Sequence, residues 1–407
     1  MKLKIKMKYP GQLKNTDFRK LWFSDILIGS ADNIEMLIIS WVIITKTNSG
    51  LILGIYGATR FFSTFFAPLF GSIIDRFNKK NTLSLSRSYM IIHSIIFLIF
   101  SLQNILTTFN IIFITFFYGI ARTSDRISRE ALTQILIKKK DLRNASGIIR
   151  ATMDFTKIIS PIIGAMIYTN LGIEYSYVII CILYIGALLA IYPINIHSTK
   201  QQNLIFYKEL LSGITYLTNN KTLISLISFA ALVNLTVLTI PNAYLPFISK
   251  NILNGNANDL ALLISFTSIG SLIGSIIISV NNFSNTPGKF LIIFIFVWHI
   301  FMLGTSLFTT KIIIICILIL FGISGSVTMI NMSILILSIT DRNMIGRIIG
   351  IRQLAIFTLP IGLIISGYMI DKTGIISSIQ IMSIIGIFIS IILSFKSKNL
   401  MSYTNTY

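Results

Sequence analysis

The chain has 407 residues, of which 54% are hydrophobic and only 12% charged, and it carries a formal net charge of +20; its mean hydropathy is +0.80. A soluble globular protein has about 25% charged residues, so this composition excludes a water-soluble enzyme and points to a chain that lives in a bilayer. The cationic excess reads as a topology signal and an attraction to anionic lipid rather than as a nucleic-acid footprint, because no soluble domain is present to carry one.

A helix needs about 20 apolar residues to cross roughly 30 Å of hydrocarbon. Twelve runs are long enough: 21–44, 51–74, 82–106, 110–137, 147–168, 175–195, 222–247, 260–280, 290–308, 312–338, 348–369 and 375–394. The first is too long for a signal peptide, contains acids and lacks a small-residue cleavage pattern, so it is expected to stay as the first span. Its acids, Asp25, Asp32 and Glu35, fall within about 80° on one helical face. Asp32 lies about 16 Å along the axis from Leu21, near the midplane. An ionisable group there survives by pairing or by lining a wet cavity. Asp32 is therefore the leading candidate for a proton-carrying group, the alternative being a permanently paired structural ion.

Basic partners follow in chain order: Arg60 in the second span, Arg122 in the fourth and Lys157 in the fifth. The loop Gly71-Ser72-Ile73-Ile74-Asp75-Arg76-Phe77-Asn78-Lys79-Lys80 joins the second and third spans and reads as a gate. On the fourth span Arg122, Asp125, Arg126 and Arg129 keep i, i+3, i+4, i+7 spacing, with Glu130 next to them. On the fifth, Arg150, Asp154 and Lys157 form another one-faced row. The segment 196–221 is the one long polar connection, and 206–214 within it fits an amphipathic surface helix. The second half is poorer in charge. Arg352 is its main intramembrane cation, and Asn234, Asn242 and Tyr244 around Pro241 and Pro246, with Trp298, His299 and Asn331, offer polar or aromatic surface to an amphiphilic ligand or, alternatively, helix-packing contacts.

Cys181 and Cys316 fall inside apolar runs and are expected to be buried as small apolar residues. No Cys/His spacing suggests a metal, and His93, His197 and His299 stand singly. Neither a nucleophile–base pair nor a nucleotide-binding loop is evident, so neither an enzyme nor a cofactor is expected.

Lysine and arginine cluster before the first span, after the second, fourth, sixth and tenth, and at the tail, whereas the opposite loops carry only Lys46, Lys250, Lys311 and Lys372. Cationic loops stay in the cytoplasm, which places both termini there. An internal repeat supports two halves in parallel order: Arg143-Asn144-Ala145-Ser146-Gly147 overlies Arg342-Asn343-Met344-Ile345-Gly346 at an offset of 199 residues, which also brings Pro161 onto Pro360, and Gly71-Ser72-Ile73-Ile74 overlies Gly274-Ser275-Ile276-Ile277 at a nearby offset.

Two six-span halves, the loop at 71–80 and the central connection together resemble the major facilitator superfamily over nearly the whole chain. The family's loop pattern, Gly-x-x-x-Asp-Arg-x-x-Arg/Lys-Lys, is matched at Gly71, Asp75, Arg76, Lys79 and Lys80. The resemblance implies that Asp75 faces the start of the eleventh span and the charges low on the fourth, Arg129 and Glu130 among them, as an ionic lock. The second half has Ile278 and Ser279 where the acid–base pair would stand. Exporters of the superfamily tend to carry Gly-x-x-x-Gly-Pro-x-x-Gly-Gly on the fifth span; here the row is Thr156, Ser160, Pro161, Gly164 and Ala165, a partial match that preserves close packing. The wording around Arg122, 142–145, 209–217 and 345–350 resembles the branch of macrolide, multidrug and siderophore exporters.

The expectation is an all-α membrane protein with a tail (1–20), a six-helix bundle (21–195), a linker (196–221), a second bundle (222–394) and a tail (395–407). The resemblance implies a monomeric proton antiporter in the cell membrane that exports a drug or macrolide-like compound by alternating access. A polar carboxylate-bearing metabolite such as a siderophore is the alternative cargo, and a non-transporting receptor or scaffold is a more remote one.

Overall fold

The computed structural model describes residues 11–67, 70, 77–138, 141–194, 206–280, 286–341, 344–401 and 403. Gly71, Asp75 and Arg76 lie outside the described residues, as does His197. Among the described residues every regular element is a helix. Lipid offers no partner to an open N–H or C=O, so a spanning backbone must satisfy itself within the segment.

The helices are α1 (Thr16–Thr47), α2 (Gly50–Phe62), α3 (Lys79–Leu102), α4 (Thr108–Leu136), α5 (Leu142–Ile191), α6 (Phe206–Thr218), α7 (Lys221–Leu235), α8 (Ala257–Val280), α9 (Pro287–Gly304), α10 (Lys311–Ile339), α11 (Ile345–Ala355), α12 (Thr358–Thr373) and α13 (Ile375–Lys396). Their starts follow from local chemistry. The Asn15 side chain accepts from the Asp17 and Phe18 amides, Ser49 from Ile52, Thr107 from Asn110 and Asn220 from Thr222 and Leu223, each satisfying N–H groups that a helix leaves open.

Breaks are equally local. Gly172 interrupts α5 with φ 91°, a left-handed conformation that a side chain would resist; the expected fifth and sixth spans are thus the two limbs of α5. After α7 the chain continues through 3₁₀ and π turns to Ile252, because Pro241 and Pro246 cannot donate to the ladder. Pro360 acts in the same way on the expected eleventh span, which is divided into α11 and α12 one turn before the proline.

Nine apolar stretches among the described residues are long enough to cross a bilayer, and Gly50–Phe66 is a shorter apolar helix. Large apolar side chains point outward along them. Leu85, Ile92, Ile99 and Leu102 make one exposed face on α3, as do Phe109, Phe113 and Phe117 on α4. In water such surface would aggregate, whereas lipid solvates it. Cys316 belongs to this outer surface, contrary to the expected burial, and Cys181 is half-buried.

Helix α1 packs chiefly on α5, and α3 lies against both α4 and α5. In the second half α10 packs on α8 and α9, and α13 on α9 and α12. Two seams join the halves: α2 against α12, and the first limb of α5 against α8. The α2–α12 seam is close because Gly50, Gly54 and Gly57 face Gly367, Leu363 and Ile370, where a methyl group would strike backbone or side-chain atoms. The small-residue row on α5 is used mainly within its own half. A side chain at Gly164 would meet Ile34 of α1, and Thr156 sits against Gly29; Ser160 and Pro161 are buried. Helix α6 lies on α11, with Gly213 against Arg347 and Ile351.

Candidate functional site

Two ionic clusters occupy the inside of the first half. The inner one is built on the midpoint of α1. Asp32 pairs with Arg60 of α2 and accepts from Arg122 Nε of α4 at 3.2 Å. Tyr118 Oη lies 2.6 Å from the same carboxylate. One turn on, Glu35 is fully buried; its Oε1 is 2.8 Å from His93 Nε2 of α3 and 3.8 Å from Arg60 Nη1. Tyr184 of α5 donates to Glu35 Oε2 at 3.2 Å, and Tyr56 receives Arg60 Nη1 at 3.0 Å. Buried charge is tolerated only when paired and hydrogen-bonded, and each charge here has such a partner.

Asp32 and Glu35 therefore turn inward, and Arg60 and Arg122 are the bases that meet them. His93, which looked solitary in the sequence, belongs to the same cluster. Lys157 is within electrostatic reach of Asp32, Arg122, Arg150 and Asp154 but forms no ion pair with them; it is exposed. Side-chain exposure rises from 18% at Asp32 to 35% at Arg122 and 62% at Arg150, so the charged groups become more accessible toward the end of the bundle that holds the chain termini. Asp154 is buried and pairs with Arg150 at 3.4 Å.

The outer cluster lies nearer the termini and corrects the expected grouping of Asp25 and Asp125. Arg87 of α3, fully buried, donates through Nε to Asp125 at 2.9 Å and through Nη2 to Asp25 at 3.1 Å. It also reaches Ser24 and the Ala187 carbonyl at 3.3 Å. Arg129 approaches Asp25 at 3.7 Å. Asp25 is seven residues, about 10 Å, from Asp32 along α1, which is too far to share its arginines. Asp125 and Arg129 thus belong to a network that ties four helices together; the expected lock with Asp75 lies outside the described residues. Arg126 reaches across to Gln353 of α11 at 3.5 Å, and Glu130 is exposed. Lys80 donates to the Tyr192 carbonyl at 2.6 Å, and Lys79 is the first residue of α3, whose start is capped by Asn78.

The second half contributes less than its sequence promised. Asn234 is buried and donates to the Ala230 carbonyl of its own helix at 2.8 Å. Trp298, His299, Asn331 and Tyr244 are likewise buried: His299 meets Thr236 at 2.9 Å, Tyr244 meets Ser378 at 2.8 Å, and Asn331 donates to the Pro287 carbonyl at 3.1 Å. Arg352 is half-buried and reaches Ser333 at 2.7 Å.

At the end of the bundle far from the termini the second half caps two helices of the first. Asp371, on α12, accepts from Ser49 Oγ at 2.7 Å, Gly50 N at 2.5 Å and Leu51 N at 3.0 Å, a carboxylate on the positive end of α2. Lys250 answers it at the carboxyl end of α1, donating to the Ile44 carbonyl at 2.7 Å and Asn48 Oδ1 at 3.2 Å. An exposed helix cap contributes about 1 kcal/mol, roughly a fivefold change in a two-state population. Asp371→Ala is accordingly expected to shift the far end toward opening by about that factor. Spin labels at Thr45 and Thr373 should report a larger share of the longer distance; an unchanged distribution would leave the joint between the halves to the glycine seam alone.

Comparison with known proteins accords with this layout. The sequence matches the model of the Major Facilitator Superfamily over residues 21–363. This chain belongs to that superfamily. It is 23% identical to Macrolide efflux protein A of Streptococcus pyogenes over 376 residues, covering 88% of this chain and 90% of that protein, and 26% identical to Macrolide efflux protein A of Enterococcus faecalis over 250 residues, covering 60% and 74%. Its fold is similar to that of the nucleoside transporter NupG (TM-score 0.74, 14% identity, 95% of this chain and 100% of that one). It is also similar to a POT family transporter in complex with 5-aminolevulinic acid (0.75, 13%, 95% and 96%) and to a bacterial homologue of the human lysosomal transporter Spinster (0.70, 13%, 97% and 98%). The superfamily member described here is a multi-pass membrane transporter.

Proposed function

We propose that this transporter exports a small organic compound, drug-like or macrolide-like, in exchange for protons, by alternating access of a chamber between two six-helix bundles. The observation that carries the reading is Asp32: a carboxylate at the middle of α1, held by Arg60 and Arg122. A group so placed can couple its protonation to the ion pairs it makes or releases. The relatives named Macrolide efflux protein A support the direction and the cargo.

Twelve spans agree with the architecture. The stretch Asn144–Ile191 is 48 residues long, about 72 Å of helix, and crosses twice by bending at Gly172. Helix α4 is long enough but interrupted by the charges from Arg122 to Glu130, and α2 supplies the shorter span. On this reading the bundles are 21–195 and 222–394, joined through α6, with both termini cytoplasmic and the protein monomeric in the cell membrane. The few far-side lysines suit that orientation, since Lys46, Lys250 and Lys311 are engaged by the Leu106 carbonyl, the Ile44 carbonyl and Asp259 respectively. The loop at 71–80 would brace the cytoplasmic side when it closes.

A second cargo has an observation in its favour. Arg122, Arg126, Arg150, Lys157 and Arg352 outnumber Asp32 and Asp154 around the chamber, and a cationic chamber suits a polar carboxylate-bearing metabolite such as a siderophore or metallophore. Everted vesicles separate the two. Uptake of labelled erythromycin that collapses with the proton gradient is the expected result; uptake of a carboxylate siderophore alone would favour the second cargo, and movement indifferent to the gradient would overturn proton antiport.

A further inference from the structure

Three contacts run in series between the two inner carboxyls of α1. Tyr118 Oη is 2.6 Å from Asp32 Oδ1 and 3.0 Å from Tyr184 Oη, and Tyr184 Oη is 3.2 Å from Glu35 Oε2. Each is an oxygen–oxygen hydrogen bond and needs one proton, but two phenols supply only two. The third must belong to a carboxyl at one end of the row. We propose that Asp32, Tyr118, Tyr184 and Glu35 form a proton wire that carries one mobile proton between the chamber and a dry site at Glu35. This deepens the proton-antiport reading and rests on it.

The wire has two settings. With Asp32 protonated, Asp32 donates to Tyr118, Tyr118 to Tyr184, and Tyr184 to the Glu35 carboxylate. When each proton shifts along its own hydrogen bond, Glu35 donates to Tyr184, Tyr184 to Tyr118, and Tyr118 to the Asp32 carboxylate. Three O–H bonds break and three form. The net change is one proton moved from Asp32 Oδ1 to Glu35 Oε2, with no other reactant. Chains of this kind polarise in concert, so an intermediate phenolate is not required.

The surroundings decide where the proton rests. Asp32 faces Arg60 and Arg122, with Lys157 across the chamber, and keeps its charge most easily. Glu35 is fully buried, away from the chamber, and has Arg60 only at 3.8 Å. The remaining polar neighbours, Tyr56 on Arg60 and Tyr177 beside Phe97, carry no charge. His93 is a positioning residue. Its Nδ1 has no hydrogen-bond partner, and because an orphaned N–H is rarer than an orphaned lone pair, the ring proton is assigned to Nε2. That proton is donated to Glu35 Oε1 in both settings, leaving Oε2 for Tyr184. The imidazole also stacks on Tyr118, with centroids 4.6 Å apart, and holds the first phenol in line.

Proteoliposomes with an internal pH dye test the wire. Tyr118→Phe and Tyr184→Phe keep the rings and remove one link each. Both should reduce proton flux and proton-driven erythromycin transport by about 100-fold, while erythromycin counterflow, which moves no net proton, stays within about twofold. Tyr177→Phe removes a buried hydroxyl outside the wire and should leave both unchanged. In the infrared spectrum the wild type should show a protonated-carboxyl stretch that is missing in Glu35→Gln and shifted in Glu35→Asp. Retained proton flux in either tyrosine variant, or an unchanged carboxyl band in Glu35→Gln, overturns the wire. If the wild type moves erythromycin without protons, antiport fails, and the carboxyl band still decides whether Glu35 holds a proton.

Discussion

Arg87→Ala is expected to destabilise the fold by about 3–5 kcal/mol, the usual result of removing one partner from a buried ionic network. Among the described residues Arg87 is the only cation within hydrogen-bonding distance of both Asp25 and Asp125, and all three are buried. Arg129, at 3.7 Å from Asp25, can compensate one acid and not the other. Truncation would leave a carboxylate in hydrocarbon, and it would also remove the contacts by which α3 holds Ser24 of α1 and the Ala187 carbonyl of α5, which would keep only their bond to each other. The measurement is the thermal midpoint of the detergent-solubilised protein, followed by its elution profile. A network of this kind does not itself need charge, because a neutral replacement of the whole set is often as stable. The triple variant Arg87→Met, Asp25→Asn, Asp125→Asn should thus recover most of the loss. If Arg87→Ala melted like the wild type, water would have to reach both acids, and the cluster would be a wet gate instead of a staple.

That network also marks the limit of what was legible in the sequence. The apolar runs, and with them the gap between the fifth and sixth spans where Gly172 bends α5, were readable because length for hydrocarbon is a local rule; the breaks before Pro241, Pro246 and Pro360 were not read from the sequence. The common face of Asp32 and Glu35 was readable from helical periodicity, and Arg60 and Arg122 were evident as partners because a lone base in mid-span has few other uses. Arg87 gave no such signal. It follows Lys79 and Lys80 near the start of a span, among 34 lysines and arginines in the chain, and reads there as one more inner-side charge. Asp25 was misgrouped for a related reason, since periodicity fixes the face of a helix but not the neighbour it meets at each height. Tyr118, Tyr184 and His93 were hidden by their types, which are as common in packed cores as in proton chains. The clue was collective: two phenols and an imidazole at the level of two acids, on three different helices, become a site only when the helices are placed side by side.

Asp32→Asn is expected to abolish proton-driven export while leaving the protein folded. The amide matches the carboxylate in shape but neither takes up nor releases a proton, so the chamber end of the coupling chain is lost. Stability should suffer less than with Arg87, because the bases that lose their partner are differently placed. Arg122 has 35% of its side chain exposed and can be hydrated from the chamber, and Arg60 keeps Tyr56 at 3.0 Å and Glu35 at 3.8 Å. Uptake of labelled erythromycin into everted vesicles under an imposed proton gradient should fall to the level seen without the gradient. Binding of the unlabelled compound to purified protein, followed by its protection against thermal unfolding, should persist, since the chamber keeps its shape. Asp32→Glu restores a titratable group on a longer arm and should recover part of the gradient dependence. Full proton-driven export by Asp32→Asn would remove the chamber carboxylate from the coupling path and leave Glu35, with Asp154 the nearest alternative, as the acid that water must reach by another route.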